Sequence, residues 1–142
     1  MKYVIDATVG FKWAVVEPHS DKACKLRDDF GQGVHELHAP DLFPTEVANA
    51  LLVAERRKRI LPGQGAILLA DVMKTPPILH ASASGLLHRA YAIAAASVVS
   101  VYDSLYVSLA EAERCELVTA DDKLVRNLQK QFPFVISLSS IP

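Results

Sequence analysis

Little in this chain points to an extracellular or membrane setting. Of its 142 residues only two are cysteine, Cys24 and Cys115, far apart. They make no disulfide framework, and two thiols buried in a reducing compartment is the plain reading. No stretch approaches about 18 uninterrupted strongly apolar residues, so no membrane-spanning helix is implied. The N-terminus has no basic region followed by an apolar segment and a cleavage site, as a secretory signal requires. Together these suit a cytoplasmic protein. Positive charge is not in excess either. The net charge is −1, which argues against holding nucleic acid by bulk electrostatics but leaves room for a local basic rim. Internal repeats and low-complexity linkers are missing. No Ser/His/Asp or Cys/His arrangement suited to covalent catalysis stands out.

What is present is an ordinary globular composition, 51% hydrophobic and 22% charged, of a length that suits a single domain over residues 1–142. Such a chain buries roughly two-thirds of its unfolded surface and needs no staples. Short β-rich runs alternate with helical patterns. "KYVID", "VHELHAP", "PPILHA", "ELVTA" and "FVISL" are the strand candidates. Between them, "VGFKWAVVE", "SDKACKLRDDFG", "LFPTEVANALLVAERRKRI", "GAILLADVMK", "ASGLLHRAYAIAAAS", "YDSLYVSLAEAERC" and "DDKLVRNLQKQF" read as helices. In the third of these, Val47, Ala50, Leu51 and Ala54 fall at helical spacing along one face. Pro44 suits its first turn, and Pro62-Gly63 mark its end. Strands separated by helices predict a parallel sheet covered on both faces, which also explains the uninterrupted apolar runs.

Four acids occupy equivalent places in this pattern. Asp6 ends the first strand, Glu46 lies in the first turn of the "FPTEVANAL" helix, Asp103 starts the "YDSLYVSLAEAE" helix, and Asp121, with Asp122 beside it, follows "ELVT". Each alone is explained as a helix cap or a partner for the helix dipole, and Asp41 is left as such a cap. Jointly they lie on one edge, because a parallel sheet places its strand C-termini and helix N-termini together where open α/β sheets bind ligands. Two carboxylates about 5 Å apart repel by roughly 3 kcal/mol at an effective dielectric near 20. Such a cluster calls for a counter-charge, and a hard divalent cation with oxygen ligands, Mg²⁺ or Mn²⁺, is the natural one. The chemistry this permits is hydrolysis of a phosphodiester.

The blocks "VIDATVGFKW", "APDLFPTEVANAL", "VYDSLYVSLAE" and "LVTADDKLVRNL", in that order and over nearly the whole chain, resemble those of PIN-domain ribonucleases, and most of all the VapC-type toxins of prokaryotic toxin–antitoxin pairs. The resemblance implies a three-layer α/β/α sandwich with a central parallel sheet, RNA cleavage dependent on Mg²⁺ or Mn²⁺, inhibition by a cognate antitoxin, and a homodimer. It assigns Asp6, Glu46, Asp103 and Asp121 to the catalytic site, with Asp6, Asp103 and Asp121 as metal ligands. Thr8 matches a Ser/Thr two residues after the first acid, where it would hold Asp6 or a metal-bound water, or cap the next helix. Asn49 matches a recurrent Asn of its block in a supporting role, and Thr119 would orient Asp121. Either carboxylate of Asp121-Asp122 reaches the site, and Asp121 aligns with the family's block.

Basic residues are read more cautiously. "ERRKRI", residues 55–60, complements a helix C-terminus. Lys12, Lys123 and Arg126 are better placed to meet RNA phosphates at the acidic edge. His35 and His38 have a spacing that invites zinc, but i and i+3 in a strand point to opposite faces. By the resemblance, "FKWAVV" and "LLVAERR" form a groove for an antitoxin segment. Alternatives are a non-catalytic PIN-like module that binds RNA or protein, and a solitary RNA-processing nuclease. A phosphatase of the haloacid-dehalogenase type wants a second Asp where Thr8 stands.

Overall fold

The apolar runs Tyr3-Val4-Ile5 and Leu117-Val118 are almost fully buried and form adjacent strands at the middle of the sheet in the computed structural model, which describes residues 1–142. In chain order the elements are β1 (Lys2–Ile5), α1 (Ala7–Ala14), α2 (Ser20–Gly31), β2 (Glu36–Pro40), α3 (Phe43–Arg56), α4 (Gln64–Val72), β3 (Ile78–His80), α5 (Leu86–Ala95), α6 (Val101–Glu113), β4 (Glu116–Thr119), α7 (Asp122–Leu128) and β5 (Val135–Ser137), followed by one 3₁₀ turn (Leu138–Ser140). Every strand and helix expected from the sequence has its counterpart. The five strands run in the order β3-β2-β1-β4-β5, and each neighbouring pair is parallel. On one face α1 packs against α2, α3 and α4. On the other, α6, backed by α5, crosses β1, β2 and β4, while α7 packs on β4 and β5. The result is the three-layer α/β/α sandwich.

Helix ends differ from the sequence pattern where the backbone finds a local cap. The pattern runs α3 on through the basic cluster, but α3 stops at Arg56. Lys58 takes a left-handed conformation (φ 59°), and the N–H groups of Lys58 and Arg59 donate to the carbonyls of Glu55 and Ala54 at 3.0 and 2.9 Å. That is a Schellman termination using lysine in place of glycine. α1 likewise ends at Ala14, short of Glu17, with Val15 extended (φ −121°). Ser20 Oγ then accepts the Glu17 N–H at 2.9 Å.

Two contacts fix α1, which begins directly after Asp6. The Trp13 indole N–H donates to the Ala23 carbonyl at 2.9 Å, tying α1 to α2. Gly10 faces α3 so closely that a Cβ there would lie 2.6 Å from Phe43 Cζ. Only glycine lets α1 approach α3 at this distance.

The topology decides where a site can form. The chain leaves β1 for β2 and then β3, and returns past β1 to β4. The C-terminal ends of β1 and β4 are therefore neighbours at the point where the strand order reverses. Connections depart from these two strands in opposite directions, which opens a crevice between them.

Candidate active site

Asp6 stands at that crevice, almost buried. Its backbone is extended, and its side chain accepts the Thr8 N–H at 3.1 Å, so the aspartate does cap α1. The cap is only part of its role in the structure. The Thr8 hydroxyl also bonds to Oδ1, and the Thr119 hydroxyl, fully buried at the end of β4, donates to Oδ2 at 2.5 Å. Both threonines are themselves oriented: Thr8 Oγ1 accepts the Ala120 N–H at 2.9 Å and Thr119 Oγ1 accepts the Asp121 N–H at 3.0 Å. The ends of β1 and β4 are thus stitched together through one carboxylate. Three of its four lone-pair positions are filled, leaving one on Oδ2.

Glu46 enters from α3 and accepts the Tyr106 phenol at 2.6 Å. Asp103 lies in the first turn of α6, where Ser100 Oγ caps the helix by accepting the Asp103 N–H at 3.1 Å. Asp121 caps α7, taking the N–H groups of Lys123 and Leu124 on Oδ1 at 3.0 and 3.2 Å. Asp122 is turned away: its Oδ1 accepts the Ser137 hydroxyl of β5 at 2.8 Å.

The four acids feel one another. Burial pushes Asp6 up to about 6 against its threonine hydrogen bonds, and the charge of Asp103 adds to the rise. Burial also raises Glu46, opposed by the Tyr106 hydrogen bond and reinforced by Asp103. Asp103 is raised by burial and then by Asp121. Burial and the Glu46 charge push the Tyr106 phenol far up, so it stays a donor. Asp103 is the hub of the repulsion. None of the four carboxylates is ion-paired to lysine or arginine. An oxygen-only donor set, mutually repelling and uncompensated, fits a hard divalent cation.

The remaining predicted residues are placed less uniformly. Asn49 is exposed one turn beyond Glu46 on α3 and makes no side-chain hydrogen bond. Lys12 lines a cleft of about 350 Å³ between α1 and α3, with Thr8, Phe11, Glu46 and Ala50. Its ammonium is held by Glu17 at 3.2 Å, and Glu17 also pairs with Arg59 at 2.7 Å. Lys123 and Arg126 are exposed on α7. The sequence reading missed Tyr106 and the Lys12–Glu17–Arg59 group. Tyr106 had a signal, since it lies one turn after Asp103 and shares its helix face. Glu17 had none, because Arg59 lies 42 residues away and Lys12, only five away, is set beside it by the break after α1.

Comparison with known proteins identifies the family and the fold. A profile of the PIN domain matches residues 3–128. The chain is 32% identical over 138 residues to ribonuclease VapC3 of Pyrobaculum aerophilum, covering 96% of this chain and 99% of that protein. Its fold is similar to the crystal structure of PAE2754 from Pyrobaculum aerophilum, with a TM-score of 0.72 at 23% identity over 99% of this chain and 85% of that one. It is also similar to a chain in the structure of VapBC2 from Rickettsia felis bound to a fragment of promoter DNA, with a TM-score of 0.64 at 15% identity over 96% and 97% of the two chains.

Proposed function

This chain belongs to the PIN-domain family, and on that premise we propose that it is a metal-dependent endoribonuclease acting as the toxin of a toxin–antitoxin pair. The observation that carries the reading is the convergence of Asp6, Glu46, Asp103 and Asp121 at the strand-order reversal, each close enough to at least one other to raise its proton affinity or have its own raised.

Asp6, Asp103 and Asp121 are the residues that would hold Mg²⁺ or Mn²⁺, with Glu46 facing the same crevice. Bound there, the ion supplies a water of lowered pKa and stabilises charge on the phosphate and the leaving oxygen. The chain's own groups prepare the place. Thr8 and Thr119 hold the Asp6 carboxylate ionised against its burial and fix its direction. Tyr106 does the same for Glu46. A half-buried glutamate with raised proton affinity is suited to take a proton from the attacking water. Asp122, committed to Ser137, supports the α7–β5 packing.

RNA enters this reading as substrate. Lys12, Lys123 and Arg126 are assigned to its phosphates, and Lys12 reaches them only by sharing or leaving Glu17. The α1–α3 cleft beside Glu46, with Phe11 and Ala50 in its wall, is assigned to the antitoxin. Exposed Leu87 and Tyr91 on α5, together with Val98 and Tyr102, support a homodimer face. No helix is long and apolar enough to cross a membrane.

The experiment is RNA cleavage by the purified chain with Mg²⁺ or Mn²⁺. Cleavage should stop on chelation and return with the ion. Activity that survives both chelation and Asp103→Asn would overturn the assignment.

A further inference from the structure

A second cluster of ligand-type side chains lies at the other end of α6. Parallel register puts Lys2 opposite Glu36 and Val4 opposite His38, while Pro40 pairs with His80. Side chains two residues apart in a strand share a face, so Lys2, Glu36, His38 and His80 all lie on the α6 side of the sheet. Glu113, in the last turn of α6, closes over them. Ten residues separate it from Asp103, or about 15 Å along the helix, so this cluster is distinct from the acidic crevice. His35 belongs to the opposite face, against Tyr3 at 5.5 Å between ring centroids.

The cluster is a chain of nitrogen and oxygen atoms of the kinds that bind metals, each facing the next. His38 Nε2 meets Glu36 Oε2 at 2.9 Å, His38 Nδ1 meets His80 Nε2 at 2.7 Å, and His80 Nδ1 faces Glu113 Oε1 at 3.6 Å. Two neutral imidazoles supply two N–H groups, enough for the two junctions that His38 makes. The third, between His80 and Glu113, is too long for a hydrogen bond and stands open on the solvent side. Lys2 supplies one compensating charge, bonded to Glu113 Oε2 at 3.0 Å, where it holds that carboxylate below the usual glutamate range.

The geometry points to a second cation site formed by His38, His80 and Glu113, suited to Zn²⁺ or another borderline-soft divalent ion in preference to Mg²⁺. One ligand atom from each of the three residues lies within 4.8 Å of the others. Tetrahedral Zn²⁺ with nitrogen and oxygen bonds near 2.0–2.1 Å spaces its ligands by about 3.4 Å. The two ring nitrogens must open and Glu113 must close, each by roughly 1 Å, which side-chain rotation supplies. The bound ion takes the place of the hydrogen shared between the rings, which passes to His80 Nδ1 as that ring changes tautomer. Glu36 then accepts the His38 Nε2–H, fixing the tautomer that leaves Nδ1 free to bind, which is the usual carboxylate–histidine–metal arrangement. Imidazole donors favour Zn²⁺ over Mg²⁺, whereas the all-oxygen crevice does the reverse. The solvent side of Glu113 and His80, each about a quarter exposed, gives the ion a way in and a place for a water ligand. Because His80 ends the edge strand β3, the ion would also pin that edge to β2 and α6.

The test is titration of the purified chain with Co²⁺, followed by its visible absorption, and with Zn²⁺, followed by calorimetry. Both are done in excess Mg²⁺ and on the Asp103→Asn background, so that the acidic crevice does not contribute. One equivalent should bind, with the intense visible bands of a low-symmetry cobalt site. His80→Ala should abolish those bands, and Glu36→Gln should weaken Zn²⁺ about 10- to 100-fold. Circular dichroism melts establish that each variant is folded, and His80, partly exposed on an edge strand, is the variant best placed to remain so. Unchanged cobalt spectra and affinity in His80→Ala would overturn the proposal. So would the absence of any Co²⁺ binding in excess Mg²⁺.

Discussion

The Tyr106 hydroxyl donates to Glu46 Oε1 across 2.6 Å, joining α6 to α3 over the crevice. It is the one side-chain hydrogen bond to Glu46, and it comes from a ring that is 1% exposed. The acid is therefore held from below by a group with no other partner. Tyr106→Phe removes the donor and leaves the carboxylate half-buried and unpaired. A hydrogen bond to a charged group is worth about 1.5–3 kcal/mol, and partial exposure of Glu46 puts the loss at the lower end. In a domain of this size, 1 kcal/mol moves the melting temperature by about 2–4 °C. A thermal melt should show that decrease, and RNA cleavage should fall by at least about tenfold, the usual effect of losing a supporting partner.

Asp103→Asn should separate stability from activity. Asp103 repels or is repelled by each of the other three acids. Without divalent ion at neutral pH, the amide removes that repulsion, and the melting temperature should rise. Divalent binding measured by calorimetry and RNA cleavage should both collapse, cleavage by more than about 100-fold. A variant that melted lower without metal would contradict the electrostatic account.

The pH dependence of stability has a defined sign. Asp6 is raised to about 6 in the folded protein, against about 3.9 in the unfolded chain. The folded state therefore binds the proton more tightly, and the associated stability is complete below about 3.9. It is lost as pH rises towards 6, by an amount on the order of 2–3 kcal/mol. Metal-free protein should accordingly melt lower at pH 7 than at pH 5, and Asp6→Asn should flatten that slope. Mg²⁺ or Mn²⁺ favours the ionised form, so its stabilisation should fade as pH drops through 6. Melts across this range with and without the ion read both effects.

Gly10→Ala tests the approach of α1 to α3. The new methyl would sit 2.6 Å from Phe43 Cζ and 3.1 Å from Val47 Cγ2, and Phe43 is fully buried. Alanine favours a helix, but overpacking a tight core costs about 1–3 kcal/mol, so the net change should be destabilising. Denaturant unfolding should show a lower midpoint with an unchanged slope. Because α1 starts at Asp6, some loss of cleavage should accompany it.

The sequence by itself determined the elements and where the four acids fall along them. Runs such as Tyr3-Val4-Ile5 and Leu117-Val118 are apolar because both faces of those strands are covered, and local composition records that. Asp6, Asp103 and Asp121 stand in first turns or at caps, where a short-range rule finds them. Hydrogen-bonding partners across the molecule are another matter. Thr119 reaches Asp6 from 113 residues away, and Tyr106 reaches Glu46 from 60. His38 had a visible neighbour in His35, yet its partner is His80, on the next strand. Which strands lie side by side is set by the packing of whole helices on the sheet, and no local periodicity carries that order. Tertiary structure alone made β1 and β4 neighbours. That adjacency turned two helix caps into one crevice, while the pairing of β4 with β5 set Asp122 against Ser137 and the pairing of β2 with β3 set two histidines face to face.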